Sequence, residues 1–183
     1  KMIIESTILP EVKVIIPEVF SDERGYFLET YQKNKFIENK IPHHFYQDNE
    51  VKSKKHTIRG LHYQIKNPQG KIVRAVLGKI LDVAVDIRLG SPNFGKSVSI
   101  ILTEKNKKML YIPEGFAHGY GVLSEESIVV YKCTNIYDMK NEHGIIWNDP
   151  NININWEIDN PLLSSKDKLL PKLSEQNILP KLK

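Results

Sequence analysis

The chain has 183 residues, 40% of them hydrophobic, and 26 basic against 22 acidic side chains give a formal net charge of +4. That length suits one domain with one core, no apolar run is long enough to span a bilayer, and no basic stretch followed by an apolar one marks a secretory signal. The one cysteine, Cys133, excludes a disulfide within the chain and a cysteine-based zinc site, and fits a reducing cytoplasm.

In chain order, "VKVII" (Val12–Ile16) is apolar and β-branched and reads as a strand, and "ETYQKNKFIENK" (Glu29–Lys40) holds room for a short helix. "IRGLHYQ" (Ile58–Gln64) reads as strand, and "KIVRAVLGKILDVAVDIRL" (Lys71–Leu89) reads as two strands joined at Gly78–Lys79. "KSVSIILT" (Lys96–Thr103), "KKMLYIP" (Lys107–Pro113) and "SIVVYKCTNIY" (Ser127–Tyr137) follow at short intervals, with Gly90–Pro92, Gly95, Pro113–Gly115 and Gly119–Gly121 as punctuation. The tail from Ser164 reads as short helical turns packed outside the strands. Many short strands at this spacing predict an all-β antiparallel sandwich or barrel in one domain, with no repeat or linker. The basic runs around Lys52–Lys55 and Lys105–Lys108 lack the aromatic interleaving of a nucleic-acid groove and read as solvated loops, though the charge balance suits a phosphate-bearing small substrate.

Strand parity gives the first functional hint. Leu81, Val83, Val85 and Ile87 share one face, while Asp82, Ala84, Asp86 and Arg88 share the other, which faces either solvent or an internal cavity. Tyr131, Cys133, Asn135 and Tyr137 likewise fall on one side, as a pocket wall or as ordinary strand aromatics.

His62 admits three readings. "PEGFAHG" (Pro113–Gly119) resembles the second motif of metal-binding cupin barrels, and "HYQ" (His62–Gln64) stands where those barrels carry His-x-His. Gln64 is a poor ligand, and His62 and His118 have no clearly placed carboxylate to complete a metal site, so none is expected. A packed core histidine is the second reading, and His43, His44, His56 and His143, in polar stretches, receive that ordinary assignment. His62 differs because Arg59 and Lys71 flank it, and a purely structural role would need partners for all three. The third reading is a general base, with a nearby cation to stabilise the anion it generates. Arg59 and His62 have opposite parity, so sharing a face requires a bulge at Gly60 or a strand that starts after Arg59.

Eight segments then occur in order: "FSDERGYFLETY" (Phe20–Tyr31), "QDN" (Gln47–Asn49), "RGLHYQ" (Arg59–Gln64), "QGKIVRAVLGKILDVAVDIRLGSPNFG" (Gln69–Gly95), "IPEGFAHGY" (Ile112–Tyr120), "YKCTNIY" (Tyr131–Tyr137), "GIIWND" (Gly144–Asp149) and "LSSKD" (Leu163–Asp167). Together they resemble the dTDP-4-dehydrorhamnose 3,5-epimerase family over nearly the whole chain. The resemblance implies a metal-free, cofactor-free, cupin-like jelly roll with a few short peripheral helices, working as a cytoplasmic homodimer whose N-terminal segment is exchanged between subunits. It implies dTDP-4-dehydro-6-deoxy-D-glucose as substrate, inverted at C3 and C5, with a 4,6-dehydratase and a 4-reductase as metabolic neighbours. Carried over by position, His62 is the base, Asp167 its carboxylate partner, Lys71 the cation at the keto oxygen, and Tyr131 the proton donor on the opposite face. Arg59 matches a substrate-binding arginine. Phe20, Arg24, Glu29, Gln47, Asn49 and Tyr137 match positions at the nucleotide and diphosphate, some reaching across the dimer, and His118 and Asp82 match pocket positions. One departure is "NEVKS", where the family often has Ser-x-Ser: only Ser53 is kept and Val51 stands at the first serine. The alternatives are an epimerase of one centre or of another nucleotide sugar such as a GDP-heptose, and a non-catalytic sugar-binding cupin.

Overall fold

The computed structural model describes residues 1–183. Two antiparallel sheets face each other as a double-sheet jelly roll, the all-β class expected from the strand spacing. The six-stranded sheet runs β1 (Ile3–Ser6), β2 (Lys13–Ile16), β10 (Met109–Ile112), β7 (Lys71–Leu77), β12 (Glu126–Cys133), β5 (Gln47–Lys54). The five-stranded sheet runs β13 (Glu142–Gly144), β6 (Ile58–Gln64), β11 (Phe116–Val122), β8 (Lys79–Asp86), β9 (Ser97–Thr103). A separate hairpin, β3 (Val19–Asp22) and β4 (Gly25–Leu28), pairs only with itself. The helix is short: α1 (Lys33–Glu38) starts where the Gln32 side chain accepts from the Lys35 amide.

Burial follows the strand period. The largest apolar cluster lies between the sheets and includes Val73, Ala84, Leu102, Leu110, Val122 and Val129. Leu81, Val83, Val85 and Ile87 point the other way, where the C-terminal segment covers the five-stranded sheet with Ile152, Trp156, Ile158 and Leu173. Asp82 and Asp86 therefore face inward and are wholly buried, so the polar side of "ILDVAVDIR" is internal and not solvated. A third cluster packs Phe36 of α1 against Ile15, Ile72, Met109 and Tyr111 on the outer face of the six-stranded sheet. There Tyr31 meets the Phe36 ring edge-on at 4.9 Å.

Several elements differ from the sequence reading. β5 is an eight-residue strand where none is predicted, because the residues it turns inward, Gln47, Asn49, Val51 and Ser53, are mostly polar and break the apolar alternation. Gly119 and Gly121 lie inside β11 instead of ending it. A Cβ at Gly119 would stand 2.6 Å from the Arg59 carbonyl oxygen, and one at Gly121 would stand 3.0 Å from the Ile158 side chain. The glycines there allow close packing and do not make turns. β12 ends at Cys133, so Asn135 and Tyr137 belong to the following loop and the parity that grouped them with Tyr131 does not extend so far. The tail does lie outside the sheets as short turns, Asp167–Leu169 and Leu173–Glu175, but the first of them sends Asp167 inward.

Candidate active site

A cavity of about 550 Å³ opens between the two sheets, walled by β6 and β11 on one side and by β7 and β12 on the other, with the tail segment 162–167 at its rim. Its geometry depends on an irregularity in β6. His62 is the ladder partner of His118, and Arg59 that of Tyr120, so three steps along β6 match two along β11. The extra residue is a bulge around Gly60, where φ is +120° and a Cβ would come within 2.6 Å of Gly119 Cα. The bulge reverses the parity, and Arg59 and His62 both enter the cavity. Of the two readings open from sequence, the bulge is the one realised; Arg59 lies within the strand.

His62 Nε2 lies 2.6 Å from Asp167 Oδ1, and Asp167 Oδ2 accepts from the Gly60 amide at 3.2 Å. Asp167 is 105 residues away in sequence and nearly buried, with 5% of its side chain exposed. Burial pushes its carboxyl up, but the His62 hydrogen bond and charge and the Gly60 amide outweigh that and hold it below the ordinary carboxylate range. On the opposite wall, burial, helped by Cys133 and Tyr120, pushes the Tyr131 phenol up to about 12. Lys71 Nζ stands 5.9 Å from the Tyr131 ring centroid and has no carboxylate within salt-bridge distance. Burial pulls its ammonium below the ordinary lysine value, against the opposing charges of Cys133, Glu142 and Asp82.

The remaining predicted residues divide into three groups. His118 lines the cavity, with Nε2 2.6 Å from Asp82 Oδ1 behind it, so Asp82 is a partner of a wall residue and not itself part of the wall. Arg59 and Tyr137 line the cavity directly; Arg59 Nε donates to Ser53 Oγ at 3.0 Å, so the retained serine of "NEVKS" anchors the arginine while Val51 forms plain wall. Gln47 and Asn49 sit beside the cavity: Gln47 Oε1 accepts from the Tyr137 amide at 2.7 Å, and Gln47 Nε2 donates to Asn49 Oδ1 at 3.0 Å. Phe20, Arg24 and Glu29 do not come to the cavity of their own chain. Phe20 and Arg24 belong to the exposed hairpin, with Arg24 paired to Asp22, and Glu29 pairs with Lys35 at 2.7 Å.

Glu142 and Lys166 were not singled out from sequence. Glu142, on the three-residue β13, accepts from Tyr137 OH at 2.9 Å and pairs with Lys166 at the cavity rim. Burial raises its carboxyl, and Lys166, His62 and Tyr137 together bring it below the ordinary value. No motif announced it, since one carboxylate in a polar loop carries no period. Gln64, in the position of a cupin ligand, instead ties loops: Nε2 donates to the Asn67 and Ile136 carbonyls and Oε1 accepts from the Asp138 amide. A smaller depression of about 380 Å³ on the outer face of the six-stranded sheet has no histidine, and its Asp48–Lys132 pair is exposed.

Comparison with known proteins places the chain in a family. The family described as dTDP-4-dehydrorhamnose 3,5-epimerase matches residues 6–175. The dTDP-4-dehydrorhamnose 3,5-epimerase of Shigella flexneri is 52% identical over 165 residues, covering 88% of this chain and 90% of that protein. That of Neisseria gonorrhoeae is 51% identical over 167 residues, covering 91% of this chain; the match spans only about half, 51%, of that longer relative. The crystal structure of dTDP-6-deoxy-D-glucose-3,5-epimerase from Legionella pneumophila, in complex with dTDP-4-keto-L-rhamnose, superposes with a TM-score of 0.97 at 42% identity over the full length of both chains. The chain belongs to the dTDP-4-dehydrorhamnose 3,5-epimerase family.

Proposed function

We propose that this protein inverts C3 and C5 of dTDP-4-dehydro-6-deoxy-D-glucose, giving dTDP-4-dehydro-L-rhamnose. The observation that carries the reading is the pairing, across one cavity, of a carboxylate-held imidazole on β6 with a buried phenol on β12. A 4-keto sugar is acidic at C3 and C5 because each carbanion delocalises into the carbonyl as an enolate. His62 removes the proton, and Asp167 orients the ring and stabilises the imidazolium that forms. The Lys71 ammonium, short of counter-charge, stabilises the enolate oxygen. Inversion requires the new proton to arrive from the other face. Tyr131, whose phenol keeps its proton at neutral pH, stands on the opposite wall as donor. Once His62 has released its proton to water and Tyr131 has regained one from water, the same two transfers at the second carbon invert it too.

The cavity's charge suits a nucleotide sugar. Arg59 and Lys166 lie along it as cations for the diphosphate, while Gln47, Asn49 and Tyr137 border it on the nucleotide side. Phe20, Arg24 and Glu29 have no route to their own cavity, and the hairpin that bears two of them exposes Phe20, Tyr26 and Phe27. A homodimer in which the hairpin of each subunit reaches the partner's cavity accounts for both facts. Light scattering should give a dimer mass; a fully active monomer would remove this part of the reading. The whole chain acts as one domain, with the tail from Ser164 as a structural part of it, since the tail supplies Asp167. The buried thiol of Cys133 suits a cytoplasmic setting.

The deciding experiment couples the protein to a rhamnose-forming 4-reductase, supplies dTDP-4-dehydro-6-deoxyglucose, and follows NADPH consumption together with NMR of the product in D₂O. Deuterium at both C3 and C5 with inversion is the expected outcome. Inversion at one centre alone would make it a mono-epimerase, and no exchange at either would refute the assignment.

A further inference from the structure

The mechanism above uses one histidine–carboxylate pair, and the molecule contains a second. His118 Nε2 lies 2.6 Å from Asp82 Oδ1; the Asp82 side chain is wholly buried and that of His118 is 8% exposed. Nδ1 of His118 makes no hydrogen bond within the protein, and the ring lines the cavity. Behind the ring, Asp82 Oδ2 is buried with no protein donor in reach. Tyr120 OH, by contrast, has the Ser53 and Arg59 side chains as hydrogen-bonding neighbours. Asp82 and Tyr120 are ladder partners on β8 and β11, and both turn to the inner side of the five-stranded sheet.

A bare carboxylate oxygen in an interior is costly, and an internal water is the usual remedy where it finds polar partners. A water that donates to Asp82 Oδ2 satisfies it. Asp82 then accepts at both oxygens, and the proton between it and His118 belongs on the ring nitrogen. We propose that Asp82 is a positioning residue that fixes His118 as the neutral tautomer protonated on Nε2, so that Nδ1 faces the sugar as a hydrogen-bond acceptor. On this arrangement His118 accepts a hydrogen bond from a substrate hydroxyl and does not act as an acid. The charged and titratable groups facing the ring are Asp82 from β8, Lys71 from β7, His62 from β6 and Tyr131 across the cavity. Burial is the largest influence and draws the ring's basicity down; Asp82 opposes it, and Lys71 and His62 add to it. The use of the acceptor rests on the epimerase reading; the tautomer does not.

The test is long-range ¹H–¹⁵N NMR of the full-length protein labelled at histidine nitrogens, with His118 assigned by loss of its signals in His118→Asn. A single proton on Nε2, unchanged between about pH 5.5 and 8.5, is the expected result. A doubly protonated ring near neutrality, or a proton on Nδ1, would overturn the proposal whether or not the protein epimerises anything. In Asp82→Asn both tautomers should appear, and kcat should fall about 10- to 100-fold with KM changed less than about 3-fold. Unchanged tautomer in that variant would remove Asp82 from the role. If the variant fails to fold, the wild-type spectrum still decides the tautomer. Loss of wild-type turnover with the tautomer intact would count against the epimerase reading alone.

Discussion

His62 and His118 are ladder partners on neighbouring strands, and each holds a carboxylate at 2.6 Å through Nε2. The distances are equal, yet the two pairs differ in everything around them. His62 is 27% exposed toward the cavity, and its partner Asp167 has its second oxygen on a backbone amide. His118 is nearly enclosed, and the second oxygen of Asp82 has no protein donor. An open imidazole held by a fully bonded carboxylate can cycle between neutral and charged forms. An enclosed one resists a second proton because burial disfavours the cation. The comparison teaches that a histidine–carboxylate distance does not identify a base; solvation of the ring and bonding of the carboxylate's far oxygen do.

The sharpest way to break this comparison is His62→Asn. Turnover should fall at least ~10³-fold while dTDP binding, measured by calorimetry, stays nearly intact, because the base is removed and not the anchor. Near-normal turnover would transfer the role of base to His118. Tyr131→Phe should cost about 10²-fold in inverted product. Abstraction by His62 continues in that variant, so deuterium should enter C3 or C5 faster than inversion occurs. A variant that neither exchanges nor inverts, yet binds nucleotide, would show that the phenol is needed for abstraction.

The bulge at Gly60 brings His62, but not His118, into place. Gly60→Ala should lower stability by about 3 kcal/mol, since its Cβ meets the Gly119 backbone at 2.6 Å and φ is +120°. Urea unfolding would detect it, and a shift below about 0.5 kcal/mol would mean that the bulge yields easily. Acid should separate the pairs more gently. Asp167 has a lowered folded-state pKa, so its contribution is present above the unfolded carboxylate range and is lost as pH falls below about 4. Wild type and Asp167→Asn should therefore differ by about 1–3 kcal/mol at neutral pH and converge in acid. A gap that widens in acid would contradict the assigned sign. The smallest expected effect is that of EDTA, which should leave the rate unchanged, since each imidazole already uses Nε2 on a carboxylate. Loss of activity restored by one divalent metal would turn the facing histidines into ligands.

Length, composition and strand spacing were enough to read an all-β chain with most of its strands, because apolar alternation is a local property that burial imposes on each strand separately. The ordered motifs also named His62, Lys71, Tyr131 and Asp167, which do converge on one cavity. Alternation failed in β5, which turns Gln47, Asn49 and Ser53 inward toward the cavity, and in β11, which carries glycines where neighbouring segments press close. Glu142 and Lys166 were silent for the same reason that any surface-like charge is silent, since only the meeting of β13 with the tail makes them a pair. The inward aim of Asp82, the bulge that turns Arg59 and His62 to one side, and the return of Asp167 across 105 residues were decided by the tertiary structure alone. Register between strands and the path of a covering tail depend on contacts summed over the whole fold, and a segment's own residues do not encode them.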